Sequence, residues 1–252
     1  NIPEHKQNSN LENVKKKRVI SVGSMHDMRK GFDVQIALWR SIINEHPNWV
    51  LDIYGDGDAL GHSVSLSADG KTVVIGAPWN YDRGEDSGQV RVYHIDNAGS
   101  TWEHLGQYIN GEAAYDYFGV SVDISSDGRT LAIGAPGYFV ENDRTGYVRV
   151  YYLESNDLIS SWKQLGQDII GEADGDEFGR SVSLSDDGKT LAIGANSNYG
   201  NGLSSGHVRV YRMDDFSMSW IQLGEDIDGE AYGPHYNSGM CVFLSADGTT
   251  VA

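Results

Sequence analysis

A single cysteine and five prolines stand in a chain of 252 residues. One cysteine excludes a disulfide framework and any metal centre built on several thiolates. No apolar run approaches the ~20 residues that a membrane-crossing helix needs. No charged-then-apolar leader follows Asn1, so no export signal is visible. Cationic side chains are scarce beyond residue 58, with 11 Lys and Arg against 28 Asp and Glu, whereas residues 1–58 hold eight of each kind. The net charge of -17 therefore belongs wholly to the second part. Such a surface repels phosphate backbones, which argues against a nucleic-acid partner. The same compositional break marks a candidate domain boundary. The length allows one or two domains and a sizeable core.

Glycine, in contrast, is abundant, and it falls in a repeat. The stretch FGVSVDISSDGRTLAIGA from Phe118 returns as FGRSVSLSDDGKTLAIGA from Phe178. It opens earlier as LGHSVSLSADGKTVVIGA from Leu60 and last as SGMCVFLSADGTTVA from Ser238. The turn glycines Gly70, Gly128, Gly188 and Gly248 are 58, 60 and 60 residues apart. Three units are complete (59–117, 118–177 and 178–236) and a fourth, 237–252, is partial.

Each unit carries four strand-like segments. In the second unit the first is Ser121–Ser125, followed by a Ser-x-Asp-Gly hairpin turn. Thr130–Gly134 is apolar enough to be buried on both faces. Tyr147–Tyr151 alternates, with Val148 and Val150 on one face and Arg149 on the other. The fourth runs from Trp162 to about Ile169. No sustained helical period occurs in 59–252. Four short antiparallel strands at even spacing suggest propeller blades. A stacked β-solenoid is the alternative, but its rungs are usually much shorter than 60 residues. The expected fold class is mainly β: an incomplete β-propeller of about three blades plus a partial fourth, behind a small N-terminal βαβ unit.

The pairs Phe118-Gly119 and Phe178-Gly179, with Gly76-Ala77-Pro78 and Gly134-Ala135-Pro136, resemble the FG-GAP repeat of integrin-type β-propellers. Leu60 replaces the first Phe and Asn196 the third Pro. The resemblance covers about three quarters of the chain. It implies a binding, adhesion or scaffold role on exported proteins, a protein or glycan ligand, no enzyme activity, no catalytic residue and no cofactor. Repeats of that family often hold calcium between their first two strands. Here that loop has shrunk to four residues, too few oxygens to wrap the ion, so no metal is expected there. Asp69, Asp127, Asp187 and Asp247 read as turn formers. Asp174 and Asp176 lie in a second acidic stretch. It could bind a cation weakly, though solvated loop carboxylates are the usual outcome.

Trp102, Trp162 and Trp220 recur at one place per unit and are expected to fill gaps between blades, with stacking on a sugar or peptide as the other reading. Arg91, Arg149 and Arg209 are expected to pair with acids on the solvent face. His62, His94, His104, His207 and His235 are scattered over different repeat positions and read as surface residues. Units differ most in loops 79–87, 137–145 and 196–205, where a binding face is expected.

Residues 1–17 form a polar lead-in. Residues 18–58 read as strand (18–22), amphipathic helix (33–46, stopped by Pro47) and strand (50–54), a βαβ unit with a parallel pair. The wording VGSMHDMRKGFD…HPNWVLDIYGDGD resembles the nucleotide-binding domain of retaining GT-B glycosyltransferases. That resemblance implies a donor diphosphate bound by Lys30. The matching Arg position holds Ser24, and the acceptor domain and later acidic motif are missing. A sugar-nucleotide glycosyltransferase is thus the rival function, discriminated by the absent catalytic half. Gly55-Asp56-Gly57-Asp58 fits both this pattern and the repeats, as if two unrelated coding regions met there. Both ends read as cut, and an array that cannot close exposes strand edges that invite self-association. The repeats imply secreted or cell-surface proteins; the first segment implies cytoplasmic enzymes.

Overall fold

The computed structural model describes residues 17–22, 49–54, 60–95, 101–137, 145–155, 160–198, 205–230 and 237–252. Strands β1 (Lys17–Val22) and β2 (Trp49–Tyr54) pair in parallel, Lys17 opposite Trp49 and Val22 opposite Tyr54. The helix expected between them and Lys30 lie outside the described residues. Among the described residues there is no helix, and none is long and apolar enough to cross a membrane.

Three antiparallel sheets follow, one per complete unit. The first orders β3 (Ser63–Leu66), β4 (Thr72–Ala77), β5 (Gln89–Ile95) and β6 (Trp102–His104), with β7 (Ile109–Asn110) also on β5. The second orders β8 (Ser121–Ile124), β9 (Thr130–Ala135), β10 (Tyr147–Ser155) and β11 (Ser160–Gln164), with β12 (Ile169–Ile170) on β10. The third orders β13 (Phe178–Leu184), β14 (Thr190–Ala195), β15 (His207–Asp214) and β16 (Ser219–Gln222), with β17 (Ile227–Asp228) on β15. The four-strand reading therefore holds, with one difference. The fourth segment breaks in two, both pieces pairing with the third strand. The break makes room for the next sheet: a Cβ on Gly106 would stand 2.8 Å from Cδ1 of Trp162, and one on Gly166 2.9 Å from Cδ1 of Trp220.

The hairpin turns close by side-chain hydrogen bonds. Ser125 Oγ donates to Asp127 Oδ1 (2.6 Å), which also accepts the Arg129 amide (2.9 Å), and the Thr130 amide donates to Ser125 Oγ (2.9 Å). The same set recurs at Ser67–Asp69, Ser185–Asp187 and Ser245–Asp247. The Ser185 hydroxyl holds the Asp187 carboxyl below its ordinary range, as the Ser245 hydroxyl does for Asp247. These aspartates form turns. The turns also join the sheets. Ala68 N–H donates to Ser126 O (3.0 Å), Ser126 N–H to Asp186 O (3.1 Å) and Asp186 N–H to Ala246 O (2.9 Å).

Apolar side chains fill the space between successive sheets. Val74, Val90 and Val92 of the first meet Val122, Ile133 and Trp162 of the second. Val148 and Val150 of the second meet Leu191, Ile193 and Trp220 of the third. Each such side chain contributes about 1.5–3 kcal/mol by leaving water. The partial fourth unit covers Ala192 and Val208 with Val242, Leu244 and Val251. Trp162 N–H donates to Gln107 Oε1 (2.9 Å), and its indole Nε1–H to Leu105 O (3.0 Å). Trp220 repeats both bonds with Gln167 and Leu165. Two of the three repeated tryptophans thus fill gaps between sheets as expected. Trp102 packs instead on Leu60, Val73 and Ile75 of its own unit. Three four-stranded antiparallel sheets stacked in this way are a propeller-like arrangement.

Candidate functional site

Residues 78–88, 136–137, 145–146, 196–198 and 205–206, which follow the second strands or precede the third, lie at one end of the sheets. The connections 111–117 and 171–177 reach the same end, since β7 and β12 pair with the first residues of β5 and β10. Two buried aspartates order this end. Asp116 Oδ2 accepts the amides of Glu112 (3.1 Å) and Ala113 (2.9 Å) and the hydroxyl of Tyr147 (3.0 Å). Asp176 Oδ2 accepts the Ala173 amide (3.2 Å) and Asn198 Nδ2 (2.8 Å). Asp176 is therefore no solvated loop acid, which corrects the reading of that acidic stretch. Its carboxylate braces the loop.

At the first sheet the two loops are tied together. Tyr115 O–H donates to Glu85, Tyr117 O–H to Asp86 Oδ2 (3.3 Å), and the Tyr117 amide to Asp86 O (3.1 Å). Asp86, Tyr115 and Tyr117 hold φ of 51°, 64° and 53°. Side chains rarely occupy that region, and strained residues cluster at ligand sites. On the same sheet and its loops Tyr81 is 60% exposed, Tyr108 52% and Trp79 36%. Trp79 meets His62 edge-on, with ring centroids 4.7 Å apart.

The repeated arginines lie just inside these loops. Arg149 grips Asp168 with two bonds (2.8 and 2.7 Å) and reaches Glu112 (2.7 Å). Arg209 does the same with Asp226 (2.9 and 2.6 Å) and Glu172. Both pairings with acids were expected; their burial was not, since Arg149 and Arg209 are nearly inaccessible. The first sheet departs from the pattern. Tyr108 stands where the others carry an aspartate, and Arg91 lies over its ring, 5.2 Å from the centroid. Arg91 Nε donates to Gln89 Oε1 (2.6 Å), and Gln89 Nε2 to Asp82 Oδ2 (2.7 Å). Only at this sheet does an aromatic replace the acid, leaving an uncharged, exposed ring over the cation.

Beside Arg209, the His207 side chain is 1% exposed, which corrects its reading as a surface residue. Neither of its ring nitrogens has a hydrogen-bond partner among the described residues. Burial, reinforced by Arg209, pushes its pKa down, so the ring is neutral near pH 7. Gln89 and Tyr147 hold the same position in the other sheets and are both satisfied.

Sequence reasoning passed over Asp123. It stands on β8 between the outer two sheets, accepting Ser65 Oγ–H of the first (2.8 Å) and the Leu184 amide of the third (2.7 Å). Burial raises its carboxyl pKa despite those donors. Its only sequence signal is that it replaces the serine found at 65 and 183.

Comparison with known proteins agrees with the repeat. The FG-GAP repeat family model matches residues 54–93 and 171–211. Human integrin alpha-11 is 36% identical over 129 residues, 48% of this chain and 10% of that protein. The mouse protein is 37% identical over 102 residues, 38% of this chain and 8% of that protein. The chain thus spans about a tenth of the length of these relatives. Nothing in these matches supports the glycosyltransferase-like reading of 18–58.

Solved structures similar to this chain include a putative 6-phosphogluconolactonase from Bacteroides fragilis (TM-score 0.47, 12% identity, 73% of this chain and 41% of that one). Another is the periplasmic gluconolactonase of Pseudomonas aeruginosa (TM-score 0.38, 15% identity, 75% and 63%). The expectation that the chain is no enzyme is corrected: lactonases stand among its structural neighbours. At such TM-scores the likeness assigns this chain no reaction. The likeness to known families is carried by the repeat, whose segments 54–93 and 171–211 match the FG-GAP repeat.

Proposed function

We propose that the repeat region is a binding or adhesion module that recognises a protein or glycan through the loop end of its first sheet. The observation that carries this reading is the set of exposed rings that the first sheet and its loops carry: Trp79 against His62, Tyr81, and Tyr108 under the cation of Arg91. Rings of this kind supply rigid, amphipathic contact area at low entropic cost. The tied loops 79–87 and 111–117 supply the preorganisation that such a surface needs. The FG-GAP repeats and the integrin similarity favour the same role.

The full chain, screened on a glycan array and on a panel of immobilised extracellular proteins, tests the reading. A true ligand loses affinity at least tenfold on Tyr81→Ser or Trp79→Ser, each worth ~1.4 kcal/mol or more. The same substitutions leave the melting temperature within a few degrees, since both rings are exposed. A ligand indifferent to both changes overturns the assignment of the face.

A further inference from the structure

We propose that Glu172, His207 and Asp226 form a site for one divalent transition-metal cation of the zinc class. His207 is anomalous among the residues at its repeat position. A buried imidazole with no hydrogen bond on either nitrogen costs free energy that a bound group would recover. The other sheets avoid the problem at this position, Gln89 bonding Asp82 and Tyr147 bonding Asp116. In the third sheet the loop acid Asp176 is taken by Asn198, which leaves the ring without it.

What surrounds the ring suits a cation. One ligand atom from each of Glu172, His207 and Asp226 lies within 4.8 Å of the other two. His207 Nδ1 stands 3.9 Å from Glu172 Oε1, too far for a hydrogen bond. Two ligands of a tetrahedral zinc ion with bonds of ~2.1 Å sit roughly 3.4 Å apart, so a small closing movement fits the ion. Arg209 bonds Glu172 through Oε2, while Oε1 accepts one hydrogen bond, from Asn198 Nδ2 (3.1 Å), and keeps a second lone pair for an ion beside the ring. Asp226 Oδ2 accepts one bond, from Arg209, and keeps a second lone pair. Glu172, Asp176 and Asp226 bring three carboxylates to a neighbourhood holding the single guanidinium of Arg209, so the pocket retains a negative excess that a divalent ion offsets. Imidazole with carboxylate oxygens is a donor set for zinc rather than for calcium. Half-exposed Glu172 opens the path from solvent and leaves the fourth position to water.

This site lies in the third sheet and is independent of ligand recognition at the first. Titration of the chelator-stripped full chain with zinc chloride, followed calorimetrically, tests it. One saturable equivalent is expected. His207→Gln, which copies Gln89, and Glu172→Gln, which alters an accessible side chain, should each weaken it at least about tenfold. Cobalt(II) should give a visible absorption band in the wild type that both variants lose. If His207→Gln fails to fold, the Glu172 variant carries the result. Absence of saturable binding, or equal affinity in wild type and Glu172→Gln, overturns the proposal; the latter result assigns the ion to scattered surface groups.

Discussion

A methyl group on Gly134 would stand 2.0 Å from the carbonyl oxygen of Gly179 in the next sheet. The same approach joins Gly76 to Gly119, at 2.0 Å, and Gly194 to Gly239, at 1.9 Å. The two halves of the repeat motif therefore touch across the sheet boundary. The glycine ending one unit's second strand receives the backbone opening the next unit. A serine seals the junction: Ser121 Oγ–H donates to Gly179 O (2.8 Å), as Ser63 does to Gly119 O (2.7 Å).

Gly134→Ala is accordingly expected to destabilise the chain by about 3 kcal/mol, the upper range for overpacking against backbone that cannot move aside. Gly70→Ala is the contrast. Its Cβ would meet nothing within 4 Å, and only the φ of 68° penalises it, by about 1 kcal/mol. Urea denaturation of both variants checks the ranking; equal losses would contradict the proposed junction.

The tryptophans allow a similar comparison. Trp162 Nε1 is bonded to Leu105 O, whereas Trp102 Nε1 is buried without a partner among the described residues. Trp162→Phe should cost about 1–3 kcal/mol, from a lost bond and an orphaned carbonyl. Trp102→Phe should change stability by about 0.5 kcal/mol or less. At the other end Gly224, the counterpart of Gly106 and Gly166, has no neighbour near its Cβ position. Among the described residues, the Gly224 position and the Trp102 indole N–H thus lack the neighbours that their counterparts have.

Asp168 supplies a pH-dependent term of ordinary sign. The Arg149 bonds hold its carboxyl below the usual range. Its contribution is present above the unfolded value near 3.9 and is lost as pH falls through the folded value. Arg149→Met should therefore cost about 2 kcal/mol at pH 7, and the difference from wild type should shrink below pH 4. Thermal melts at pH 7, 5 and 3 follow it.

Much of this was legible in the sequence. The 60-residue step, the Asp-Gly turns and the alternation of Tyr147–Tyr151 specify hairpins, because each is a local pattern of one strand and its turn. The kink at Gly106 and Gly166 was not legible, since its cause is a tryptophan 54–56 residues away. Arg149 looked solvent-facing by alternation, but Glu112 and Asp168 close over it. His207 looked like one more surface histidine, since nothing in GHVRVY reports the depth of that position. Such features depend on neighbouring sheets, and a single strand's pattern carries no information about them.

Asp123 gives the opposite pH response. Its carboxyl pKa is raised, because burial between sheets outweighs the donors from Ser65 and Leu184. The unfolded chain holds this group ionised more readily than the folded one. The penalty is therefore full above the folded pKa and is relieved as pH falls toward the unfolded value near 3.9. Asp123→Ser restores the residue that Ser65 and Ser183 hold, and Ser183 Oγ already accepts the Leu244 amide at 3.1 Å. The variant removes the titration while keeping an acceptor at the junction. Lowering the pH from 7 to about 4, through the raised folded pKa toward the unfolded value, should thus stabilise the wild type relative to Asp123→Ser, by an amount set by the displacement of its pKa. If the gap between the two melting temperatures is constant from pH 7 down to about 4, Asp123 titrates no differently in the folded chain than in the unfolded one, and the buried carboxylate between three sheets is not a strained element.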